Sequence, residues 1–361
     1  MKVKAFVTHK LSEKFTDCQD RFGINPDTKS VAVSDGMSSS WQQKKWARIL
    51  ADEYVNSKDW IPTTDTIKPL CKKWRDEVVA DIERMKNSNT PENLIYRNER
   101  NLASGRSAGA TLVGIRFSGT EWKGSVLGDS CLIEWDGKEK IATFHTSQDV
   151  ESFDAYPDYF DSNAANEGKG TPKEIQGVLT KDRMLFLVSD PFSDFLFEQN
   201  KQGDIAHYID AFVNVSSHGE FEKLVADWRS LGMHNDDTTL VSIIPDETDN
   251  IIVQNMDNID ALIDEEKRAE ILTPVPASVV LSTSSASFLE STEEEDIQCC
   301  ECSLEEIEET FRKYMYANLS RRHTRKLKRI CGKVLYKLTK EDCIDAFHKT
   351  LKDYKIIKKQ K

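Results

Sequence analysis

The sequence lacks the long hydrophobic runs and the cysteine pattern that mark membrane proteins and small secreted domains. No apolar run in its 361 residues approaches the ~20 that a membrane-spanning helix needs. The first residues hold no long apolar stretch, so we expect no secretory signal. The eight cysteines are scattered, and a chain of this length does not need disulfides for stability. We therefore expect reduced thiols and a cytoplasmic protein without a membrane partner.

Positive charge is scarce in most of the chain and concentrated at its end. Residues 303–361 hold 17 Lys and Arg against 8 Asp and Glu, a net charge of +9. Since the whole chain carries −12, residues 1–302 carry −21. An acidic body makes nucleic acid an unlikely partner for that part, whereas the basic tail could bind an acidic partner.

Three compositions divide the chain into predicted regions. Residues 1–247 alternate strand and helix patterns, which is typical of a catalytic domain with mixed structure. Residues 248–302 are acidic and contain Ser, Thr and Pro, which predicts a linker. Residues 303–361 show apolar residues at helical spacing, which predicts a small basic helical module. In the linker, Cys299, Cys300 and Cys302 have no partner at zinc spacing and are interpreted as free thiols.

Acidic residues of the first region fall at the ends of predicted strands. Asp35 follows the strand at 30–34, Asp190 follows the strand at 183–189, and Asp236 precedes the strand at 238–244. One such residue is more often a turn or a cap. If the strands share one core, however, their ends bring several carboxylates together, and mutual repulsion raises the pKa of each. Mg²⁺ and Mn²⁺ prefer oxygen ligands and would offset that repulsion.

Five short motifs follow one another along residues 1–247. In chain order they are Cys18-Gln19-Asp20, Val31-Ala32-Val33-Ser34-Asp35-Gly36-Met37, Ser107-Ala108-Gly109-Ala110-Thr111 with Gly128-Asp129-Ser130, Leu185-Phe186-Leu187-Val188-Ser189-Asp190 with Asp194, and Asn235-Asp236-Asp237-Thr238-Thr239-Leu240-Val241. Each motif is weak alone, but the five in this order, at plausible spacing, resemble those of the type 2C metal-dependent protein serine/threonine phosphatases. The first motif, Cys-Gln-Asp, is similar to that of some bacterial members.

The resemblance implies an α+β fold of two packed antiparallel sheets flanked by helices, with metals in a cleft at one end of the sandwich. Transferred to the matching positions, Asp35 would bridge two Mg²⁺ or Mn²⁺ ions, and the Gly36 carbonyl would bind one of them. Asp190 and Asp236 would hold the other ion. Asp20 would act directly or through water.

Two further carboxylates complete the implied ligand set. Asp129 would help hold a weaker third ion, and Asp237, where the family has asparagine, adds negative charge or an additional ligand. Pro191 replaces the family's glycine after Asp190, so the local backbone must differ. The family's Asp-His-Ser stretch is not evident.

The implied activity is hydrolysis of phosphoserine and phosphothreonine in proteins, with a metal-bound water as the nucleophile. Two metal ions would lower the pKa of that water and hold the phosphoryl oxygens, so no side-chain nucleophile is needed. A cation should neutralise the substrate phosphate. Because the first strand carries no arginine, His9 and Lys10 are the candidates.

Two alternatives stay open. Pro191 and Asp237 motivate a pseudophosphatase, which keeps the fold as a binding or regulatory scaffold without turnover. Alternatively, the chain is an adaptor whose basic tail binds nucleic acid. For the phosphatase, the expected partners are phosphorylated proteins and a cognate serine/threonine kinase, with the tail docking an acidic partner.

Overall fold

A computed structural model describes residues 1–147 and 157–272. The helices predicted in 303–361 and the cysteines of the predicted linker lie outside the described residues. The described strands are β1 (Lys2–Thr8), β2 (Arg21–Asn25), β3 (Ser30–Ser34), β4 (Gly109–Ala110), β5 (Leu112–Ser118), β6 (Glu121–Leu127), β7 (Cys131–Asp136), β8 (Ile141–His145), β9 (Phe160–Asp161), β10 (Lys173–Val178), β11 (Arg183–Val188), β12 (Thr238–Ile244) and β13 (Ile252–Met256). The described helices are α1 (Gln43–Asn56), α2 (Lys68–Lys86), α3 (Glu92–Ala103), α4 (Asp190–Gln202), α5 (Ile205–Asn214), α6 (His218–Ser230) and α7 (Ile259–Leu272).

Two large sheets form the centre of the fold. The first has the order β13-β1-β12-β11-β7-β8 and the second β10-β6-β5-β3-β2, while β4 and β9 form a small separate pair. All pairings in the two sheets are antiparallel except that of β13, which runs parallel to β1 at one edge. The predicted α+β class is therefore confirmed, with one parallel edge strand in place of a wholly antiparallel sheet.

The central strands of the first sheet are apolar on both faces because each face meets another layer. Along β11, Leu185 and Leu187 join the core shared with the second sheet, and Phe186 and Val188 join the core under the helices. This alternation follows the two-residue period of a strand. Val31 and Val33 of β3 meet the inner face from the second sheet. The two sheets therefore face each other across one apolar layer.

Helices cover the outer face of each sheet, which completes the predicted αββα sandwich. On the first sheet, α4, α5 and α6 contribute an aromatic cluster in which the Phe192 and Phe212 ring centroids lie 4.9 Å apart and Trp228 contacts both. On the second sheet, the buried Tyr54 of α1 lies over Gly114, where a Cβ would come within 2.5 Å of the ring. Within the described ranges, no helix combines the length and apolar character needed to cross a bilayer.

The sheet continues past the predicted domain boundary at residue 247. The Met1 amino group donates to the carbonyls of Thr248 and Asn250 at 2.6 and 2.8 Å, and β13 follows as an edge strand. Further along, the Glu266 carboxylate in α7 accepts the Phe15 amide at 3.1 Å. The described part of the segment expected to be a linker is thus hydrogen-bonded to the first sheet and to the loop that follows β1.

Asp257, directly after β13, fixes this segment through a charged pair. Its Oδ2 accepts the Val7 amide at 2.9 Å and lies 2.8 Å from Nδ1 of His218 at the start of α6. Burial lowers the pKa of His218, but its contacts with Asp257 and Glu222 outweigh that effect and raise the pKa to about 9. The imidazolium therefore stabilises the folded state at neutral pH.

We expect the substitution Asp257→Asn to lower the free energy of unfolding by about 2 kcal/mol at pH 6. Because the folded-state pKa is raised, this stabilisation is complete below about pH 6.5 and is lost as the pH rises through about 9. Urea unfolding of the full chain should therefore show a large difference in free energy of unfolding between wild type and variant at pH 6, and a small one at pH 9.5. Asp227→Asn, at an exposed pair with Lys223, is the matched control. A pH-independent loss for Asp257→Asn would contradict the charged pair.

Candidate metal centre

The ends of the central strands meet at one end of the sandwich and carry the acidic residues there. A chain of hydroxyl groups holds these ends together. Thr239 at the start of β12 donates its amide to the Ser189 hydroxyl at 2.9 Å, and its own hydroxyl donates to Asp20 Oδ2 at 2.8 Å. On the second sheet, the Asp35 amide donates to the Thr111 hydroxyl at 3.2 Å. The residues bearing carboxylates are therefore positioned by buried side chains of their neighbours.

Asp35 lies where the charges of the cluster converge. Burial raises its pKa well above the usual range, and four further carboxylates raise it again. In order of effect they are Asp20, Asp190, Asp236 and Asp129. The structure therefore brings together the five aspartates that sequence motifs placed at strand ends.

Several carboxylate oxygens of this cluster are buried without a hydrogen-bond donor among the described residues. They are Asp20 Oδ1, Asp129 Oδ1 and Asp194 Oδ1. Burial and then the charge of Asp237 raise the pKa of Asp20 to about 7, and burial and then Asp190 raise the pKa of Asp194 to about 7. Buried acceptors without donors are costly, and oxygen-rich clusters of this kind suit a hard divalent cation. The donor set fits Mg²⁺ or Mn²⁺.

His234 is a member of the cluster that the sequence reasoning missed. Single ligand atoms of Asp190, His234 and Asp236 lie within 4.8 Å of one another, as in a metal site. The His234 Nε2 is 3.1 Å from Asp190 Oδ2, and its Nδ1 is 3.8 Å from Asp194 Oδ2. Burial lowers its pKa, but Asp190 and then Asp194 raise it to about 9. His234 directly precedes the last motif, two residues before Asp236, and this position was the available signal.

Lys10 is a second cation that lies among the carboxylates. Its Nζ lies 2.8 Å from Asp236 Oδ1 and 3.9 Å from Asp237 Oδ2, and it donates to the Ser38 hydroxyl at 2.9 Å. Burial lowers the pKa of Lys10, but Asp236 and Asp237 outweigh it and raise the pKa above its usual value. Lys10 therefore carries a positive charge at the centre.

His9, the second phosphate-binding candidate, makes different contacts. Its Nδ1 is 2.7 Å from the Lys10 carbonyl, its Nε2 is 3.9 Å from Glu266 Oε1, and its ring packs edge-on against Phe15. Arg229 of α6, which sequence reasoning also missed, donates to the carbonyls of His9 and Asp236. It thereby links the end of β1 to the start of β12.

Asp237 holds the loop that follows β1. Its buried oxygens accept the Lys10 amide at 3.0 Å and the Gln19 amide at 2.8 Å. Carboxylates that accept backbone amides are well satisfied without a metal ion. The geometry therefore favours a positioning role for this departure from the family motif.

Backbone geometry explains why Pro191 is tolerated in its helix and why a side chain is disfavoured at Gly36. Pro191 lies in the first turn of α4, behind the N-cap Ser189, where a missing amide hydrogen costs no helical hydrogen bond. At Gly36, a Cβ would lie 3.0 Å from the Gln43 carbonyl carbon and 3.1 Å from the Gln19 carbonyl oxygen. A side chain at Gly36 would therefore push apart two segments of the centre.

Comparisons with known proteins find similarity only among solved structures. No family model and no curated protein matches the sequence. The similar structures include serine/threonine phosphatase Stp1 from Staphylococcus aureus, at 12% identity and a TM-score of 0.43, covering 68% of this chain and 94% of that chain. PppA of Pseudomonas aeruginosa has 14% identity and a TM-score of 0.43, covering 67% and 96%. The catalytic domain of the serine/threonine phosphatase PstP in complex with two manganese ions has 13% identity and a TM-score of 0.39, covering 66% and 96%.

We expect Asp20→Asn to stabilise the metal-free protein. Since the folded-state pKa of Asp20 is raised to about 7, folding binds its proton more tightly, and stability falls as the pH rises from about 4 through about 7. In chelator at pH 8 the variant should gain about 2 kcal/mol in free energy of unfolding, and the gain should vanish near pH 4. Chemical unfolding measures both values.

The exposed Asp27→Asn is the control and should change little at either pH. Adding Mn²⁺ should make the wild type more stable than Asp20→Asn, because only the wild type keeps the full ligand set. A destabilised Asp20→Asn protein in chelator at pH 8 would contradict the assignment of Asp20 to a repulsive cluster.

Proposed function

We propose that this chain is a Mg²⁺- or Mn²⁺-dependent phosphatase that hydrolyses phosphoserine and phosphothreonine in proteins. The observation that carries the proposal is the convergence of four carboxylates on Asp35, each from a different segment of the chain. Structural ion pairs do not require such convergence, whereas phosphoryl chemistry with two metal ions does. The order of the sequence motifs around these same residues supports it.

In this proposal the residues divide between two principal ions and a weaker third. Asp35, the Gly36 carbonyl, Asp190 and Asp236 would hold the two principal ions, with Asp35 contributing to both. Asp20 would act directly or through water, and Asp129 would help hold the third ion. When bound, the ions supply Lewis acidity that activates water and neutralises charge on the phosphoryl group.

Lys10 is the cation of this chain that we propose binds the substrate phosphate. Its Nζ lies between Asp236 and the Ser38 hydroxyl, and its raised pKa keeps it charged at neutral pH. A fixed ammonium group beside the ligands can bind a phosphate oxygen and hold the ester in place. We therefore assign phosphate binding to Lys10, with His9 supporting the backbone next to it.

A scaffold without turnover remains the second candidate because of one specific observation. Lys10 pairs with Asp236 at 2.8 Å, and His234 pairs with Asp190 at 3.1 Å, so two protein cations already neutralise part of the cluster. A pseudophosphatase could be stable with those pairs alone. Phosphoproteins and a cognate kinase are the proposed partners, and an acidic partner for the basic tail remains a proposal from charge.

The decisive measurement is hydrolysis of a phosphothreonine peptide with Mn²⁺ and with chelator. We expect turnover in the wild type with Mn²⁺, and in Asp190→Asn a rate no higher than that of the chelated wild type, because one ligand of an ion is lost. Calorimetry with Mn²⁺ accompanies the assay. Metal binding that needs Asp190 but gives no turnover would reject the enzyme and favour the scaffold.

Lys10→Ala tests the phosphate-binding role. Removing a hydrogen bond to a charged group costs about 1.5–3 kcal/mol, so we expect kcat/KM for the peptide to fall roughly 10- to 100-fold. Lys72→Ala, which removes an exposed lysine on α2, is the matched control and should keep the wild-type value. An unchanged kcat/KM for Lys10→Ala would assign phosphate binding elsewhere.

A further inference from the structure

A groove of about 580 Å³ lies beside the candidate metal centre, and none of the residues assigned above to metal or phosphate lines it. We call it the flanking groove. It is formed by the loop after β1, the start of α1, the end of α2 and the helix α3. Its volume lies within the range of sites that enclose small ligands or side chains.

The flanking groove is continuous with the metal centre. Gln19, which lines it, is followed directly by Asp20 and donates its amide to Asp237. Gln43, which also lines it, packs with the Gln19 carbonyl against Gly36, the residue after Asp35. A substrate peptide whose phosphorylated residue lies at the metal centre would therefore reach the groove within a few residues of it.

The lining of the groove is mostly polar, but it includes three apolar side chains, which we call its floor, beside one buried polar residue. Trp41, Met85 and Leu94 are each partly exposed and line the groove. Beneath them, the Asn98 side chain is 8% exposed; its Oδ1 accepts from the Trp41 indole at 3.3 Å, and its Nδ2 donates to the Leu94 carbonyl at 2.9 Å. The same Nδ2 lies 3.9 Å from the Met85 sulfur. Asn98 therefore fixes all three floor residues in one arrangement.

The end of the groove nearest the centre carries hydrogen-bond acceptors. Glu13 Oε2 and Gln19 Oε1 are buried and, within residues 1–147 and 157–272, have no donor. A polypeptide backbone supplies amide donors at regular intervals, which an isolated apolar ligand does not. Acceptors next to an apolar floor thus match an extended peptide with one large apolar side chain.

We infer that the flanking groove binds a large apolar side chain of the phosphoprotein, within a few residues of the phosphorylated serine or threonine. This inference rests on the proposed phosphatase function and adds a substrate preference to it. The floor of Trp41, Met85 and Leu94 selects the side chain, and Asn98 is a positioning residue behind it.

The test uses a set of phosphothreonine peptides in which leucine or glycine occupies each position from three before to three after the phosphothreonine. At one position, we expect leucine to raise the wild-type kcat/KM roughly 10- to 100-fold over glycine, as burial of a leucine side chain allows. In Leu94→Glu and in Met85→Gln this ratio should fall towards 1. Tyr96→Glu, at a 67% exposed position of the same helix, should keep it.

Each ratio compares two peptides on one enzyme preparation, so a partly unfolded fraction cancels. A wild-type ratio near 1 at every position overturns the inference, and so does a wild-type ratio retained in both groove variants. Hydrolysis of p-nitrophenyl phosphate by the wild type, which needs the centre but no peptide, tests the proposed function separately.

Fluorescein-labelled versions of the same peptides give dissociation constants by anisotropy in Mn²⁺, without any need for turnover. Tighter binding of the leucine peptide that Leu94→Glu abolishes supports the groove even if no phosphate ester is hydrolysed, and in that case only the proposed chemistry fails. Equal dissociation constants for the leucine and glycine peptides overturn the groove, whatever the enzyme's activity.

Discussion

Mutual repulsion among buried carboxylates is the constraint on which this structure depends. Five segments bring Asp20, Asp35, Asp129, Asp190 and Asp236 to one end of the sandwich. Burial and neighbouring charge raise the pKa values of Asp20, Asp35, Asp129 and Asp236. In a flexible chain, the carboxylates would relieve this repulsion by moving away from one another. The cluster persists because β3, β11 and β12, which end or begin next to Asp35, Asp190 and Asp236, are hydrogen-bonded on both sides and largely buried. A rigid apolar core thus maintains an unfavourable polar arrangement, which is typical of sites built to bind a cation.

The repulsion is offset inside the chain by cations at fixed positions. Lys10 comes from the end of β1, Arg229 from α6 and His234 from the turn between α6 and β12. Each is partly or largely buried and approaches the cluster from the side of the first sheet. For Asp35, supplied by the second sheet, the largest causes of the raised pKa are burial and four neighbouring carboxylates. Negative charge therefore concentrates around Asp35, to which the proposed function assigns a share in both principal ions.

Sequence patterns predicted which residues lie at the strand ends. They did not predict which side chains contact those residues. Asp35 and Asp190 follow strongly apolar strands, so their positions could be read from periodicity. His234 and Arg229 carry no such signal, because their places depend on how α6 packs on the sheet. Helix α3 was missed because it buries little beyond Asn98, and β13 was missed because all five of its residues are exposed. Both elements form through tertiary contacts that local hydrophobic patterns do not encode.

The loop between β1 and β2 joins the functions that the structure suggests. It carries Lys10, which we propose binds phosphate, Asp20, which we propose binds metal, and Gln19 at the flanking groove. Three anchors hold it: Asp237 accepts the amides of Lys10 and Gln19, Glu266 of α7 accepts the Phe15 amide, and Lys44 of α1 donates to the Thr16 carbonyl at 2.6 Å. Because one short loop positions all three, a shift of α7 would alter phosphate, metal and peptide binding together. The segment after β12, expected to be a linker, is for this reason part of the apparatus that positions the centre.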